Sequence, residues 1–452
     1  MTDDQQVRAL LHRAAELPDT IQPPVARLVE TARRRRRLQV VLSLLGVAAI
    51  TAAGFTLPSV LKGPGGVAIP TRRTGAPPHR ATAAELARAR WALLPPSPLG
   101  PRSNPILVSG TGMTLLEIGG TRNGHARSDG ALFDPGTGWE RIARPPADVG
   151  LRDAVSVWTG PAAHQLFVTN NIPPSSSAAG TGAPAGLYDP VTNRWTVTDL
   201  PRQMLGLQLT APVWTGHDVV LAGSSGSART PRIAVAAYNV ADHRWRMITP
   251  RLPARHPAGL VSMVAAWQKV ILWSFWSRDI TFPDGSGTIR SGVDVLVLHH
   301  GRWTTSTGGW PQHWIVEGAA FASFRILIPP GQFWCGDCPG PFGESPARLA
   351  DAGTLALTTI PASPLVTHPT VEPPVWRWNG SSVLAADVSG YSKAAPNGRL
   401  GRLAAYDPLS RRWLVLPRAP GDPALAAAPV LDRRGLLVLT LDGRLLSLGK
   451  RR

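Results

Sequence analysis

Cysteine is almost missing from this chain: Cys335 and Cys338 are the only two in 452 residues. A closed zinc site wants four ligands, so a lone Cys-x-x-Cys is too few for one. Tyrosine is equally scarce at four residues, against 16 tryptophans, which suggests that Trp recurs at fixed positions. The glycine-rich stretches lack the Gly-Lys-Ser/Thr of a phosphate-cradling loop. Gly223-Ser224-Ser225-Gly226-Ser227 is not followed by the helix that a nucleophile elbow needs. Charge is missing over one long interval, residues 38–61. What is abundant is punctuation. Glycine and proline number 45 each, too many for a helical protein and suited to many short strands joined by turns.

The uncharged interval exceeds the ~20 apolar residues that a helix needs to cross a bilayer. Arginines fill positions 33–37 directly before it, and such a cluster stays on the cytoplasmic side. A cleaved signal peptide has a shorter apolar region and a short basic leader. With no cysteine near the span, lipoprotein processing is excluded. The expected organisation is a cytoplasmic tail (1–37), a transmembrane helix (38–61), an extended Gly/Pro-rich linker (62–87) and a large extracytoplasmic domain (88–450). In the tail, Val7, Leu10, Leu11, Ala14 and Leu17 fall at helical spacing. Pro23-Pro24 then interrupt the pattern, and a second helix can run on through the Arg cluster.

From Trp91 onward the chain repeats itself. Tyr188-Asp189-Pro190 precedes Trp195, Tyr238-Asn239 precedes Trp245, and Tyr406-Asp407-Pro408 precedes Trp413; in each, the aromatic residue stands seven before the Trp. Phe133-Asp134-Pro135 with Trp139 is the same unit one residue shorter. Upstream lies Trp-Thr-Gly, at Trp158 and at Trp214, or Trp378-Asn379-Gly380, each leading to an apolar run. The unit reads as strand, turn, strand, variable loop, strand, Asp-Pro turn, strand. The repeat Trp fall at 91, 139, 195, 245, 303 and 413, and the last gap is twice the others. Leu355 fits the vacant place. The first unit has only its final strand, and residues 428–448 hold three apolar pieces without a Trp. Joining the two ends closes a seventh unit and leaves no free sheet edge. The fold class expected is all-β, a seven-bladed β-propeller behind one N-terminal transmembrane helix and a short helical tail.

This pattern resembles the kelch family of β-propellers over about residues 88–450, in the divergent form of bacterial exported proteins; Gly119-Gly120 matches the kelch double glycine. Galactose-oxidase-type copper enzymes share that fold, but their site needs a Cys-linked Tyr, a second Tyr and two His. Three of the four tyrosines here, Tyr188, Tyr238 and Tyr406, are repeat positions with a structural use, as are the six repeat Trp. The tail, with its Leu-Leu-His-Arg-Ala-Ala stretch at 10–15 and its Arg run, resembles those of actinobacterial membrane proteins that accompany extracytoplasmic-function sigma factors.

Cys335 and Cys338 read as a small disulfide in a loop of an oxidising compartment; the alternative is a redox pair, without the helix that would lower a thiol pKa. Around this loop stand Trp273, Trp276, Trp310, Trp314 and Trp334, with His313 between two of them. Trp310, His313, Trp314 and Trp334 are the candidate ligand surface, since Trp faces bind sugars and flat or cationic groups; the alternative is ordinary packing over the blades. His299-His300 lack a third ligand, and no metal or cofactor is expected. Of the formal net charge of +18, the tail's eight Arg and five acidic residues account for +3. The outer part carries the remainder, a balance suited to anionic wall polymers or lipid headgroups; a glycan or a protein is a further candidate partner. Topology keeps nucleic acid away. The expected function is a membrane-anchored binding or scaffold module without catalytic role. The alternatives are a sensor whose tail restrains a cytoplasmic regulator, and an envelope hydrolase.

Overall fold

The structure, a computed structural model, describes residues 80–449 except 111–113, 148, 152–153, 161–164, 172–183, 226–231, 253–260, 267–268, 282–286, 307–324, 329–330, 333–343, 352–353, 355, 366–374, 390–397 and 433. The chain divides into two compact units, Met1–Gly75 and Ala76–Arg452. The described residues all belong to the second, so the tail and the expected span 38–61 lie outside them. Among the described residues no helix is long and apolar enough to cross a membrane.

The second unit is an all-β, propeller-like arrangement of antiparallel sheets. The first sheet runs Ile106–Ser109, Leu115–Ile118, Gly130–Asp134, Gly138–Arg141, and the second Val155–Trp158, Leu166–Thr169, Pro184–Asp189, Arg194–Asp199. In the third, Val213–Trp214 and Gln208–Leu209 both pair with Asp218–Ser224, which is followed by Ile233–Asn239 and Arg244–Met247. The fourth holds Val261–Ala266, Lys269–Thr281, Gly287–His299 and Arg302–Ser306. The fifth has three described strands, Arg325–Ile328, Arg348–Asp351 and Leu357–Thr359; the sixth has Val375–Trp378, Val383–Ser389, Arg399–Asp407 and Arg412–Val415. The closing sheet takes Val430–Leu431, Gly435–Leu439 and Leu445–Gly449 from the C-terminus and Arg90–Leu94 from the other end, with Trp91 opposite Leu448. Strands of successive sheets touch in cyclic order, from Ile106–Ser109 and Val155–Trp158 through to Val375–Trp378 and Val430–Leu431, which returns to Ile106–Ser109.

The repeat residues account for this order. The third-to-fourth strand turns are built by an Asp or Asn that accepts from the backbone N–H two residues on: Asp134 from Gly136, Asp189 from Val191, Asn239 from Ala241, Asp407 from Leu409. The turns end on a residue with positive φ, as at Asn193, His243, Gly301 and Arg411. Aromatic and Trp then stand directly opposite across the hairpin, Tyr188 with Trp195, Tyr238 with Trp245, Tyr406 with Trp413 and Phe133 with Trp139. Their ring centroids are 5.0–5.4 Å apart, a tilted contact worth about 1 kcal/mol beyond the area it buries.

Each repeat Trp also ties its sheet to the one before. Its indole N–H donates to an oxygen late in, or just past, the preceding sheet's outermost strand. Trp139 reaches Pro95 O at 2.7 Å, Trp195 reaches Ala143 O at 2.8 Å, and Trp245 reaches Thr198 Oγ1 at 3.1 Å. Trp303 donates to Ile248 O, Trp413 to Pro361 O at 2.9 Å and Trp91 to Pro417 O at 2.9 Å. The fifth sheet has no such Trp. Its register puts Leu357 opposite Ala350, the place that Trp takes opposite an aromatic elsewhere. This corrects the expectation for Leu355, which itself lies outside the described residues: Asp351 N–H bonds Ala356 O, so the turn is two residues longer than that alignment allowed.

The expected linker also needs correction at its C-terminal end. Helix α1, Ala83–Arg88, opens with a capping box in which Thr82 and Glu85 satisfy each other's backbone N–H. Its Ala83 and Leu86 are buried among Leu384, Leu403 and Leu416 of the sixth sheet and Leu446 and Leu448 of the closing sheet. Burial of that face, rather than propensity, holds so short a helix.

Candidate functional site

The expected ligand residues Trp310, His313, Trp314 and Trp334, and the pair Cys335 and Cys338, lie outside the described residues, as does the side chain of Trp276. Trp273 is described. It is fully buried on the second strand of the fourth sheet, against Val264, Ile271, Val295 and the fifth sheet's Ala350. It packs two sheets together and forms no part of a ligand surface. His299 ends a strand and His300 holds the turn, their rings 3.9 Å apart. Among the described residues no group of three His, Cys, Asp or Glu lies close enough to hold a metal.

A buried ionic cluster was not anticipated. Glu117, fully buried on the first sheet, accepts from Ser97 Oγ at 2.5 Å. Arg102, almost as deeply buried, places Nε 3.4 Å from Glu117 Oε1, and both atoms lack a hydrogen bond. Its other nitrogens donate to Leu99 O, Gly119 O and the carboxylate of Asp129. Burial pushes the Glu117 carboxyl above its ordinary value, and Ser97 and Arg102 offset this only in part. At Asp129 burial also raises, but the bond to and charge of Arg102 outweigh it and the group ends below the usual carboxylate range. The cluster welds the connection at 95–105, which crosses from the closing sheet to the first sheet; Ser97 N–H and Asn104 N–H bond Gly443 O and Ala426 O of the C-terminal part. Its role is structural.

That role has a pH signature. A carboxyl whose folded pKa is raised contributes stability that is complete below its unfolded value of 4.5 and is lost as pH rises through the folded value. Glu117→Gln removes this loss, so its melting temperature relative to the parent should rise as pH increases from about 4 to 7. A difference that stays flat across that range contradicts the reading.

Arginine stands at one repeat position that the fold does not consume. Arg90, Arg194, Arg244, Arg302 and Arg412 each open the outermost strand of their sheet, directly before the repeat Trp. The register makes them equivalent. Arg194 faces Asp189, Arg244 faces Asn239, Arg302 faces His299 and Arg412 faces Asp407, while Arg90 faces Gly449 where chain ends replace the turn. All five are exposed, and none forms an ion pair among the described residues. The facing carboxylates are turned inward: Asp189 is held by Val191 N–H and Thr192 Oγ1, Asp407 by Leu409 N–H and Ser410 Oγ. At Asp407 burial raises the pKa, but these donors more than reverse it. Arg411, exposed in its turn, adds a sixth guanidinium. One edge of the arrangement thus presents a rim of guanidinium groups, each planar with up to five donors and suited to phosphate or carboxylate oxygens.

No protein family matches the chain, and no curated protein matches it. A solved structure described as "Structure of YjhT" is similar at 14% identity and a TM-score of 0.42, over 72% of this chain and 99% of that one. A likeness of that degree identifies neither family nor activity.

Proposed function

We propose that the chain is a single-pass membrane protein whose residues 88–450 form a seven-bladed, kelch-type propeller outside the cytoplasm, acting as a non-catalytic binding module for an anionic envelope partner. The blade number is supported by the cyclic order of the sheets and by the Trp tie, which occurs at six of the seven junctions. Support for the kelch type comes from Gly119-Gly120, both at positive φ, and for anchoring from the uncharged interval 38–61 behind five arginines. The observation that carries the binding reading is the rim, whose guanidinium groups are left over after every turn and tie has been made. Protease added to intact cells should digest the chain beyond residue 80 and spare the tail; a protected propeller would reverse the topology.

A sensor is the second reading, favoured by one contact. Asn379 Nδ2 and Ser381 Oγ both donate to Ala81 O at 2.9 Å, so the entering chain is latched to a turn of the sixth sheet, the contact through which a sensor would have to act. Retention of a cytoplasmic regulator by residues 1–37 in a pull-down would support it.

A further inference from the structure

The rim lies at the same end of the sheets as the point where the chain enters the domain. In an antiparallel meander the first-to-second and third-to-fourth strand turns fall at one end and the second-to-third turns at the other. The five arginines follow third-to-fourth turns or, at Arg90, the equivalent gap between chain ends. Ala81 is bonded to Asn379 and Ser381, in the first-to-second turn of the sixth sheet, and Gly380 in that turn lies against the Arg80 side chain. Helix α1 then leads directly into Arg90. Arg80, the first described residue, therefore stands at the guanidinium edge. The C-terminal strand finishes there as well, with Gly449 opposite Arg90, and the sequence continues as Lys450-Arg451-Arg452. The opposite end carries different material. The fourth sheet's middle strands run on as a ribbon from Phe275–Val293 to Thr281–Gly287, beyond the flanking strands.

We infer that the arginine rim is a docking surface for the anionic lipid headgroups of the protein's own membrane, holding the ring with its tethered edge on the bilayer and the fourth sheet's ribbon outward. This rests on the anchored topology proposed above. The charge arithmetic suits a diffuse surface better than a single ligand. The arginines are spread around a ring, on five of its seven sheets, the first and fifth having Gly138 and Ala356 at this place, so a small anion does not meet them all together. A lipid surface meets them together, and every basic residue within a Debye length of it adds to the attraction. Acids in the same turns, Asp134, Asp189, Asp242, Asp351 and Asp407, weaken this, but all except Asp242 are bound into their turns.

The test uses the full chain reconstituted into vesicles of neutral phosphatidylcholine, with or without phosphatidylglycerol, and follows amide hydrogen exchange in the turns 190–194, 240–244 and 408–412. With phosphatidylglycerol these turns should gain at least tenfold protection at low salt. The gain should vanish at high salt and in the variant R90Q/R194Q/R244Q/R302Q/R412Q, while exchange in the central strands stays as in the parent. Equal exchange on both vesicle types overturns the inference, as does protection that survives the five substitutions. Protection on neutral vesicles only when a soluble wall polyanion is added also overturns it, in favour of a polymer site. Flotation separates this from the underlying reading: a chain that fails to float with neutral vesicles removes the anchor, whereas one that floats with both but shows no protection removes only the docking.

Discussion

Trp195→Ala should cost about 3–5 kcal/mol of folding stability, a large part of what a domain possesses. Three interactions are lost together. The ring packs against Tyr188 at 5.2 Å. It joins the Leu116, Ile118 and Ile142 cluster that spans the first and second sheets. Its N–H holds Ala143 O. Gly186 lies directly beneath it, where an added Cβ would stand 2.9 Å from the ring, so the site cannot close by small shifts. Trp195→Phe keeps most of the packing and drops the bond across the junction, for roughly 1 kcal/mol. Urea unfolding at fixed pH reads both. An alanine variant within about 1 kcal/mol of the parent would show that the tie is incidental.

Removal of residues 445–452 should abolish soluble folded protein. The deleted strand lies between Arg90–Leu94 and Gly435–Leu439 and pairs with both, so its loss strips the partner from one strand and bares the edge of another. Exposed edges of this kind pair with other chains. Leu445, Leu446 and Leu448 also leave the core at the closing junction, where Leu446 and Leu448 cover helix α1. Size-exclusion chromatography of the truncated domain should show aggregate or nothing; a monomer with the parent's melting temperature would refute closure through the two chain ends.

Most of the architecture was legible because the repeat writes the same local physics at each turn. An Asp or Asn cap, an aromatic residue and a Trp at constant register can be counted without knowing any contact. What escaped had weaker signals. Leu355 stands six residues before Pro361, as Trp195 does before Pro201, but the interval from Trp to the next Pro varies among units, so proline cannot fix a register that backbone pairing puts at Leu357. Helix α1 is too short for a periodic pattern, although Thr82 and Glu85 were its cap in plain sight. The cluster of Ser97, Arg102, Glu117 and Asp129 draws on separate connections; its one trace in the sequence is a glutamate inside the apolar run Leu115-Leu116-Glu117-Ile118. The arginine rim is visible as Arg-Trp pairs, yet only register shows that these occupy the same position on five sheets.

The pairing of Arg90–Leu94 with Leu445–Gly449 also has a mechanical consequence. The strand begins at the edge where Arg80 and helix α1 stand and runs away from it, so a pull applied to its N-terminal end from beyond that edge acts along the strand axis. All five facing positions, from Arg90 with Gly449 to Leu94 with Leu445, then bear the load in shear and must slip together, whereas a pull across the axis would peel them one at a time. The latch at Ala81 would give way first and absorb small displacements before the ring is strained. A domain closed in this way resists a pull on its N-terminal end without unzipping.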